Sequence, residues 1–392
     1  MSKFVSIFDL ECAARARLPA VLFDYVHGGS EQQLTVQRNL DDMRALALRQ
    51  HTMRNVAERR MSVTMVGDPA RIPLAIGPTG LAGMTWPNGE AEAARAAASF
   101  GVPYCLSTMS ICSIEDVAQA SGKPFWFQLY LMKERKVNES LIERAHRAGC
   151  QALVLTLDLH VQGKRWADER HGLGVPPKLS PRNAWDMARH PRWLLSMIKS
   201  RRHTFGNLEG EVKQAGNVRA LTEWVASQFD PAFDADSVRW VRSRWDRKLI
   251  LKGIMDADDA RQAIELGADA IIVSNHGGRQ LDGAPSSISV LPNIAEAVGG
   301  RIEVLFDGGI RTGSDIVKAI GRGASACLSG RACLYGLAAN GYEGVCCALS
   351  LFEQELADCM ALTGLTDVGT IAPGVVTAQP SLALQRDAGA FP

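Results

Sequence analysis

From about residue 70 onward, short apolar runs alternate with longer amphipathic segments. Continuously apolar strands that alternate with helices are typical of parallel βαβ units, whose strands are covered on both faces. Eight such units favour a closed (β/α)8 TIM barrel over an open sheet. The predicted strands are Pro73–Gly77, Val102–Leu106, Phe125–Tyr130, Ala152–Leu157, Lys248–Lys252, Ala270–Ser274, Ile302–Asp307 and Ser325–Ser329.

The segments between these strands have helical spacing. Gly149, Gly267 and Gly321 follow three of them, where the left-handed conformation ends a helix. Asp256 and Ser314 are the expected N-caps. The predicted helices are Glu90–Phe100, Ser113–Ala120, Glu139–Ala148, Asp236–Arg244, Asp256–Leu266, Ser286–Val298 and Ser314–Ile320, with a last helix from about Ala332.

We expect one domain over residues 1–392. An N-terminal helical cap (1–69) precedes the barrel (70–363), and a long insertion (about 172–228) follows the fourth strand. An insertion of that length without structure is usually functional or mobile. The C-terminal tail (364–392) is, after Pro373, either poorly ordered or a docking arm.

Composition excludes several classes of protein. The 392 residues are 46% hydrophobic and 22% charged, with a formal net charge of +1, so no global field attracts nucleic acid. Nine cysteines without metal-type pairing, two of them adjacent, indicate a reducing compartment. No histidine pair has ligand spacing, so we expect no metal. The first residues lack a signal-peptide core, and no run approaches the roughly 20 apolar residues of a membrane span. A cytoplasmic location follows.

A histidine and an arginine, His276 and Arg279, lie in the glycine-bearing stretch Ser274–Asp282, directly after a predicted strand. Loops that follow parallel strands face the pocket of such proteins. Histidine exchanges a proton near neutral pH, and arginine binds a carboxylate with two hydrogen bonds. This stretch therefore predicts a base and an anion clamp for a small acid.

Glycine-rich turns follow the seventh and eighth strands. Asp307-Gly308-Gly309 leads to Arg311, and Gly330-Arg331 opens the last helix. Such turns bring backbone amides to a phosphate, although they could also be plain turns with surface arginines. A ring cofactor across the barrel mouth would meet polar side chains at the other strand ends, Thr79, Gln128, Thr156 and Lys252, the last of which could instead form a structural ion pair.

From about Leu18 to Gly364, these motifs resemble the FMN-dependent L-2-hydroxy-acid oxidising family, with Gly77–Leu81 and His190–Trp193 most similar to its mandelate-oxidising branch. The resemblance implies FMN as cofactor and oxidation of an L-2-hydroxy acid to the 2-oxo acid. It implies that Tyr25, Arg165 and Arg279 bind the substrate carboxylate and that Tyr130 lies near its hydroxyl. It makes His276 the base and Asp158 the carboxylate that orients it. Both removal of the carbon proton and removal of the hydroxyl proton with hydride transfer are compatible with this set.

The cofactor residues that the resemblance implies lie at the strand ends and in the two glycine-rich turns. They are Pro78, Thr79, Gly80, Ser107, Gln128, Thr156, Lys252, Ser274, Asp307, Gly308, Gly309, Arg311, Gly330 and Arg331.

Three positions bear on substrate and electron acceptor. Gly80, where the family often has alanine, favours a dehydrogenase over an oxygen-using oxidase, unless it merely fits the turn. Met109 stands where another member of the family has a bulky tryptophan, and Gln162 stands where others have an aliphatic residue or asparagine. A flexible methionine would line a roomier apolar pocket. A mandelate-like substrate is favoured and lactate comes second, although Met109 could simply pack. An FMN-dependent barrel isomerase is a remote alternative, because the arginines and Tyr25 suit a carboxylate better than a diphosphate.

The insertion interleaves basic residues with tryptophans and aliphatic residues, as peripheral membrane segments do. We expect contact with the inner face of the cell membrane through about 178–202. The resemblance further implies electron transfer to a quinone-type respiratory acceptor, and we expect a homotetramer. The alternative is a loop that packs on the barrel with a solvated basic rim. The residues are Lys178, Arg182, Trp185, Arg189, Arg192, Trp193, Leu194, Leu195, Met197, Ile198, Lys199, Arg201 and Arg202.

Overall fold

A computed structural model describes residues 4–172, 180–212 and 218–378. The strands, in chain order, are β1 (Leu46–Leu48), β2 (Val63–Met65), β3 (Asp68–Ala70), β4 (Leu74–Ile76), β5 (Cys105–Ser107), β6 (Trp126–Tyr130), β7 (Ala152–Thr156), β8 (Lys248–Ile254), β9 (Ala270–Val273), β10 (Glu303–Phe306), β11 (Ala326–Ser329) and β12 (Val376–Ala378).

The helices alternate with these strands from β4 onward. They are α1 (Ile7–Arg17), α2 (Ala20–His27), α3 (Leu34–Ala45), α4 (Ala82–Thr85), α5 (Gly89–Phe100), α6 (Ile114–Ser121), α7 (Arg135–Arg147), α8 (Trp166–Arg170), α9 (Pro181–Ala188), α10 (Pro191–Met197), α11 (Val218–Ser227), α12 (Ala235–Arg242), α13 (Ala257–Glu265), α14 (Ser287–Val298), α15 (Gly313–Gly321) and α16 (Arg331–Thr363), with 3-10 turns at Val368–Thr370 and Pro373–Val375.

Strands β4 to β11 form the predicted (β/α)8 barrel. Within the described part of the chain, these eight strands are parallel and lie in the order β4-β11-β10-β9-β8-β7-β6-β5. A bridge between Ile76 and Tyr104 closes the ring. The second strand begins later than predicted, at Cys105, because Val102 and Pro103 belong to the approach from α5.

The amino-terminal end of the barrel is closed by the β2–β3 hairpin. The buried indole of Trp126 donates to Asp68 over 2.7 Å, and the carboxylate of Glu303 accepts the backbone N–H of Val66. These bonds hold the hairpin against the small apolar side chains inside the barrel. The opposite end, where the strands terminate, is not covered by this hairpin and carries a cavity lined by strand-end residues.

Helices α1 to α3 form the predicted N-terminal helical cap. Helix α1 packs against α16, while α2 and α3 contact α8 and α14 beside the strand ends. Residues 376–378 dock, since β12 pairs antiparallel with β1. The remainder of the tail, 379–392, lies outside the described residues.

The long insertion after the fourth barrel strand, β7, contains the helices α9, α10 and α11 and is therefore not structureless. Lys178, at its start, lies outside the described residues. None of the helices that the structure describes is both long and apolar enough to span a bilayer.

The ends of α15 differ from the prediction. Thr312, not Ser314, is the N-cap. Its hydroxyl accepts the backbone N–H of Asp315, and the Asp315 carboxylate accepts the backbone N–H of Thr312. Gly321 is the last helical residue, and Gly323, at φ +111°, adopts the left-handed conformation expected of Gly321. The predicted N-cap Asp256 and the left-handed Gly149 and Gly267 are confirmed.

The capping box gives a direct test of this helix start. We expect Thr312→Ala to lower the free energy of unfolding by about 1 kcal/mol, because it removes one reciprocal cap bond. The matched change Ser314→Ala, two residues into the helix, should cost less than about 0.5 kcal/mol. Urea unfolding followed by tryptophan fluorescence measures both, and a larger cost for Ser314→Ala would contradict the assignment.

Candidate active site

A cavity of about 410 Å³ opens at the carboxyl ends of the barrel strands. Most predicted site residues line it, and Asp158 and Ser274 stand directly behind, each bonded to a lining residue. The predicted residues that line it are Tyr25, Pro78, Thr79, Gly80, Ser107, Met109, Gln128, Tyr130, Thr156, Gln162, Arg165, Lys252, His276, Arg279, Asp307, Gly308, Gly309, Arg311, Gly330 and Arg331.

His276 follows β9 in a left-handed conformation, at φ +58°, which is rare for a residue with a side chain. Its Nδ1 lies 2.9 Å from Asp158 Oδ1, and its Nε2 lies 3.3 Å from the Tyr130 hydroxyl. Burial alone would raise the pKa of Asp158, but His276 and Lys252 hold that pKa below its usual value. An ionised carboxylate only accepts, so Nδ1 donates to it and Nε2 is left to accept a proton.

Two half-buried arginines converge on the carbonyl end of α2. Arg279 Nη1 donates to the carbonyls of Tyr25 (2.6 Å) and Gly28 (3.0 Å). Arg331 donates to the carbonyls of Val26, His27, Gly28 and Gly277. Cations satisfy the unpaired carbonyls at a helix C-terminus. Burial lowers the pKa of Arg331 to about 9, and it lowers the pKa of Arg279.

The ring of Tyr25 lies against two guanidinium groups. The Cζ of Arg279 is 4.8 Å and that of Arg165 is 5.7 Å from its centroid. Because Arg279 uses Nη1 on backbone carbonyls, its Nη2 and Nε are left for a ligand. The Nε of Arg165 is buried and has no partner among the described residues. This end of the cavity can bind a carboxylate.

A carboxylate that the sequence analysis missed also lies here. Asp168 Oδ2 is 3.2 Å from Arg165 Nη1, and both side chains are mostly buried. Asp168 lines the cavity. Its spacing of three residues from Arg165 was the available signal, because such pairs meet on one helical face.

The other end of the cavity carries a buried lysine. Lys252 Nζ lies 2.8 Å from Ser274 Oγ and 3.2 Å from Asp307 Oδ2. Burial would lower the pKa of Lys252, but Asp307 and Asp158 raise it, so the ammonium stays charged. Lys252 thus forms an ion pair and also faces the cavity.

Further polar groups fit the expected FMN. Gln128 links the hydroxyls of Ser107 and Thr156, each over 3.0 Å. Asp307 Oδ1 and Ser329 Oγ are buried without a protein partner in the described chain. Unpaired buried polar groups are costly, so their presence at the mouth of a cavity indicates a polar ligand such as a ribityl chain.

The predicted phosphate end has a glycine cradle. Gly308 and Gly309 take φ values of +105° and +96°, and a Cβ on Gly309 would lie 2.4 Å from the carbonyl oxygen of Asn39. Arg311 lies 5.9 Å from the centroid of the Tyr335 ring and lines the cavity. Arg331 is bonded chiefly to backbone carbonyls, so its role includes holding α2 as well as facing the cavity.

One wall of the cavity is apolar and comes largely from the insertion. Phe205, Leu221, Val225 and Phe229 line it together with Met109. The ring of Phe229 meets Tyr130 edge-on, with centroids 6.4 Å apart. The sequence analysis missed this wall, because no local pattern shows which insertion residues fold back over a strand end.

The contact between the cap and the His276 turn can be tested at Gly278. A Cβ there would lie 2.6 Å from the backbone nitrogen of Val36, whereas a Cβ on Gly283, also at positive φ, would meet nothing within 4 Å. Gly283→Ala should cost only the left-handed strain of about 1–2 kcal/mol. Gly278→Ala should cost a further 1–3 kcal/mol, roughly, and weaken flavin retention, because α3 must move. Urea unfolding and the bound-flavin ratio measure this, and equal effects of the two variants would contradict it.

Comparison with known proteins agrees with this geometry. The L-lactate dehydrogenase of Caulobacter vibrioides is 43% identical over 93% of this chain and 96% of its own length. That of Pseudomonas entomophila is 43% identical over 93% and 95%. Among solved structures, the monotopic membrane protein (S)-mandelate dehydrogenase has a TM-score of 0.91 at 36% identity and covers 96% of this chain and 100% of its own. Mandelate oxidase has a TM-score of 0.81 at 36% identity, with 96% and 99% covered. The FMN-dependent dehydrogenase family matches residues 14–378, and the chain belongs to that family.

Proposed function

We propose that this enzyme uses FMN to oxidise an L-2-hydroxy acid to the 2-oxo acid. The observation that carries the proposal is the placement of the His276–Asp158 pair beside a carboxylate-binding end of the same cavity. The names of its relatives and structural neighbours, which act on lactate and mandelate, support the substrate class.

The carboxylate end determines how the substrate lies. Arg279 and Arg165 each keep guanidinium donors that no other described residue engages, and both guanidiniums lie against the ring of Tyr25. Charge-assisted hydrogen bonds from two directions fix the plane of a carboxylate. The hydroxyl-bearing carbon next to it is then held beside His276, and this orientation lowers the entropic part of the barrier.

His276 accepts the proton that leaves the substrate, at Nε2. Asp158 is already bonded to Nδ1, so it stabilises the imidazolium that forms. Tyr130, 3.3 Å from Nε2, supplies a hydroxyl near the substrate oxygen. Oxidation also removes two electrons and a second proton, which FMN would take up when it is bound.

The strand-end residues would hold FMN. Lys252, backed by Ser274 and Asp307, provides a fixed positive charge beside the flavin ring. Gln128, Ser107 and Thr156 offer paired amide and hydroxyl groups along the strand ends. Pro78, Thr79 and Gly80 would supply backbone contacts, and Gly308, Gly309, Gly330 and the two arginines Arg311 and Arg331 would receive the phosphate.

The substrate side chain would point at the apolar wall. Phe205, Leu221, Val225, Phe229 and Met109 provide aromatic and aliphatic surface, which suits an aryl side chain better than a hydrogen atom. A mandelate-like acid is therefore our first candidate. Lactate is the second, because the L-lactate dehydrogenases are the relatives with 43% identity.

A panel of substrates tests this function. We expect (S)-mandelate or L-lactate to bleach the flavin of the holoenzyme anaerobically, with glycolate the slowest by kcat/KM because it leaves the apolar wall uncovered. His276→Gln should reduce the rate of bleaching by at least about 10²–10⁴-fold, since it removes the base, while FMN stays bound. Absence of bleaching by every 2-hydroxy acid would refute the proposal, and fastest turnover of glycolate would refute the role of the wall.

The electrons would pass to a quinone-type acceptor rather than to oxygen. Gly80 lies beside Tyr25 and Met109, and a Cβ there would come within 3.2 Å of the Tyr25 hydroxyl. Because Gly80 has no side chain, the space beside the proposed flavin position stays open at this point. Rapid reoxidation of the reduced enzyme by oxygen in stopped flow would identify an oxidase. The expected homotetramer is tested by analytical ultracentrifugation.

Peripheral membrane contact would use an exposed apolar patch on the insertion, formed by Trp185, Leu194, Leu195 and Ile198. These side chains are 69%, 46%, 64% and 75% exposed. The patch is anchored, because the buried Trp193 donates its indole N–H to the carbonyl of Met84 over 2.9 Å. Basic residues of the segment flank it, and they would meet anionic headgroups: Arg182, Arg189, Arg192, Lys199 and Arg201. The monotopic membrane neighbour supports this proposal.

Sedimentation with anionic liposomes tests the patch. The triple change of Leu194, Leu195 and Ile198 to Ser should lower the bound fraction several-fold at low salt, because it removes most of the apolar area that the membrane would bury. The matched triple change of Val5, Phe8 and Leu362, which are 78%, 69% and 65% exposed elsewhere, should leave binding unchanged. Equal loss in both variants, or no binding by the unaltered protein, would refute the assignment.

A further inference from the structure

Asp168 is the one carboxylate that lines the arginine-bearing end of the cavity, among the residues that the structure describes. Its side chain is 13% exposed, and that of its partner Arg165 is 16% exposed. The other lining carboxylate, Asp307, is paired with Lys252 at the flavin end. Asp168 therefore belongs to the substrate end and has no part in the catalytic steps described above.

The charges at this end are arranged unevenly. Arg165 and Arg279 both face Tyr25, and the ion pair of Asp168 is with Arg165. The positive charge of Arg165 adds to burial in lowering the pKa of Arg279, whereas Asp168 opposes that shift, so its field reaches both guanidiniums. Two positive charges and one negative charge leave an excess that a single carboxylate of the ligand neutralises.

We propose that Asp168 sets the charge selectivity of the substrate site, so that the site accepts 2-hydroxy monocarboxylates and discriminates against dicarboxylates. The inference rests on the proposed function, because it takes this end of the cavity as the carboxylate site. With the negative charge of Asp168 in place, a second ligand carboxylate meets two arginines whose excess positive charge the first carboxylate has already neutralised, and Asp168 repels it. Without the charge of Asp168, the two arginines can balance the negative charges of two ligand carboxylates.

The size of the effect follows from Coulomb's law. Two unit charges about 6 Å apart, at an effective dielectric constant of about 20, change a binding constant by roughly 100-fold. The cavity opens to solvent, which screens part of this field. We expect a change of at least about tenfold for each added ligand charge.

Oxamate and oxalate provide matched probes, since they have the same shape and differ by one negative charge. Their dissociation constants are measured on the holoenzyme by the change in flavin absorption, which needs no turnover. In Asp168→Asn, the ratio of the oxamate constant to the oxalate constant should rise at least tenfold, roughly, because oxalate gains more from the lost aspartate charge. The amide can still accept a hydrogen bond from Arg165, so the change isolates charge from position.

Two control variants separate charge from structure. Asp168→Glu keeps the charge, and Glu169→Gln removes an exposed negative charge from the same helix, α8. Both should leave the ratio at its original value. If Asp168→Asn does not accumulate as folded holoenzyme, the smaller neutral variant Asp168→Ser has the same expected result.

The possible failures are distinct. If both probes bind the unaltered enzyme and the ratio stays the same in Asp168→Asn, Asp168 only orients Arg165 and the selectivity proposal is wrong. A ratio that rises equally in Glu169→Gln would also overturn it, since any nearby charge would then suffice. If neither probe binds the unaltered holoenzyme, the carboxylate site of the proposed function falls as well.

Discussion

The site depends on the hydrogen bonds that two half-buried guanidinium groups donate to the carbonyl end of a short cap helix. Helix α2 ends with unpaired carbonyls at Tyr25, Val26, His27 and Gly28, and Arg279 and Arg331 donate to them. A buried cation without such partners would be strongly destabilising, and a buried helix end without donors would be as well. The arginines supply donors to the helix carbonyls, and the carbonyls supply acceptors to the arginines. The cap is therefore held over the strand ends, and Tyr25 is brought against two arginines.

The same requirement operates at the centre of the barrel. Lys252 is buried, and it remains charged because Asp307 and Ser274 lie within bonding distance and Asp158 adds its field. Asp158 in turn stays ionised because His276 and Lys252 oppose the effect of its burial. The base and the buried cation therefore share one set of electrostatic interactions, built from the ends of neighbouring strands. A change at any of these residues should disturb both the proton acceptor and the flavin end.

The barrel could be predicted from the sequence, because strand length, apolar runs and glycine stops are local signals. The convergence of site residues could be predicted because strand ends meet at one face of a barrel. Local patterns are less reliable where two hydroxyl residues lie close together at a helix start, as at α15, which is capped by Thr312 and not by the predicted Ser314. Local patterns give no signal where residues from distant segments of the chain meet. Phe205 and Val225 line the cavity only because the insertion returns to it.

The insertion joins the two properties that the barrel alone does not determine. Its residues Phe205, Leu221 and Val225 contribute to the apolar wall of the cavity, while Leu195 on helix α10 and Ile198 directly after that helix are exposed. Helix α10 is also linked to the cavity, because Trp193 donates to the carbonyl of Met84, a residue that lines the cavity. One segment therefore supplies both exposed apolar surface and part of the cavity lining. Substrate range and surface contact would then change together when this segment changes, while the acid–base pair and the arginines, which belong to the barrel and the cap, stay in place.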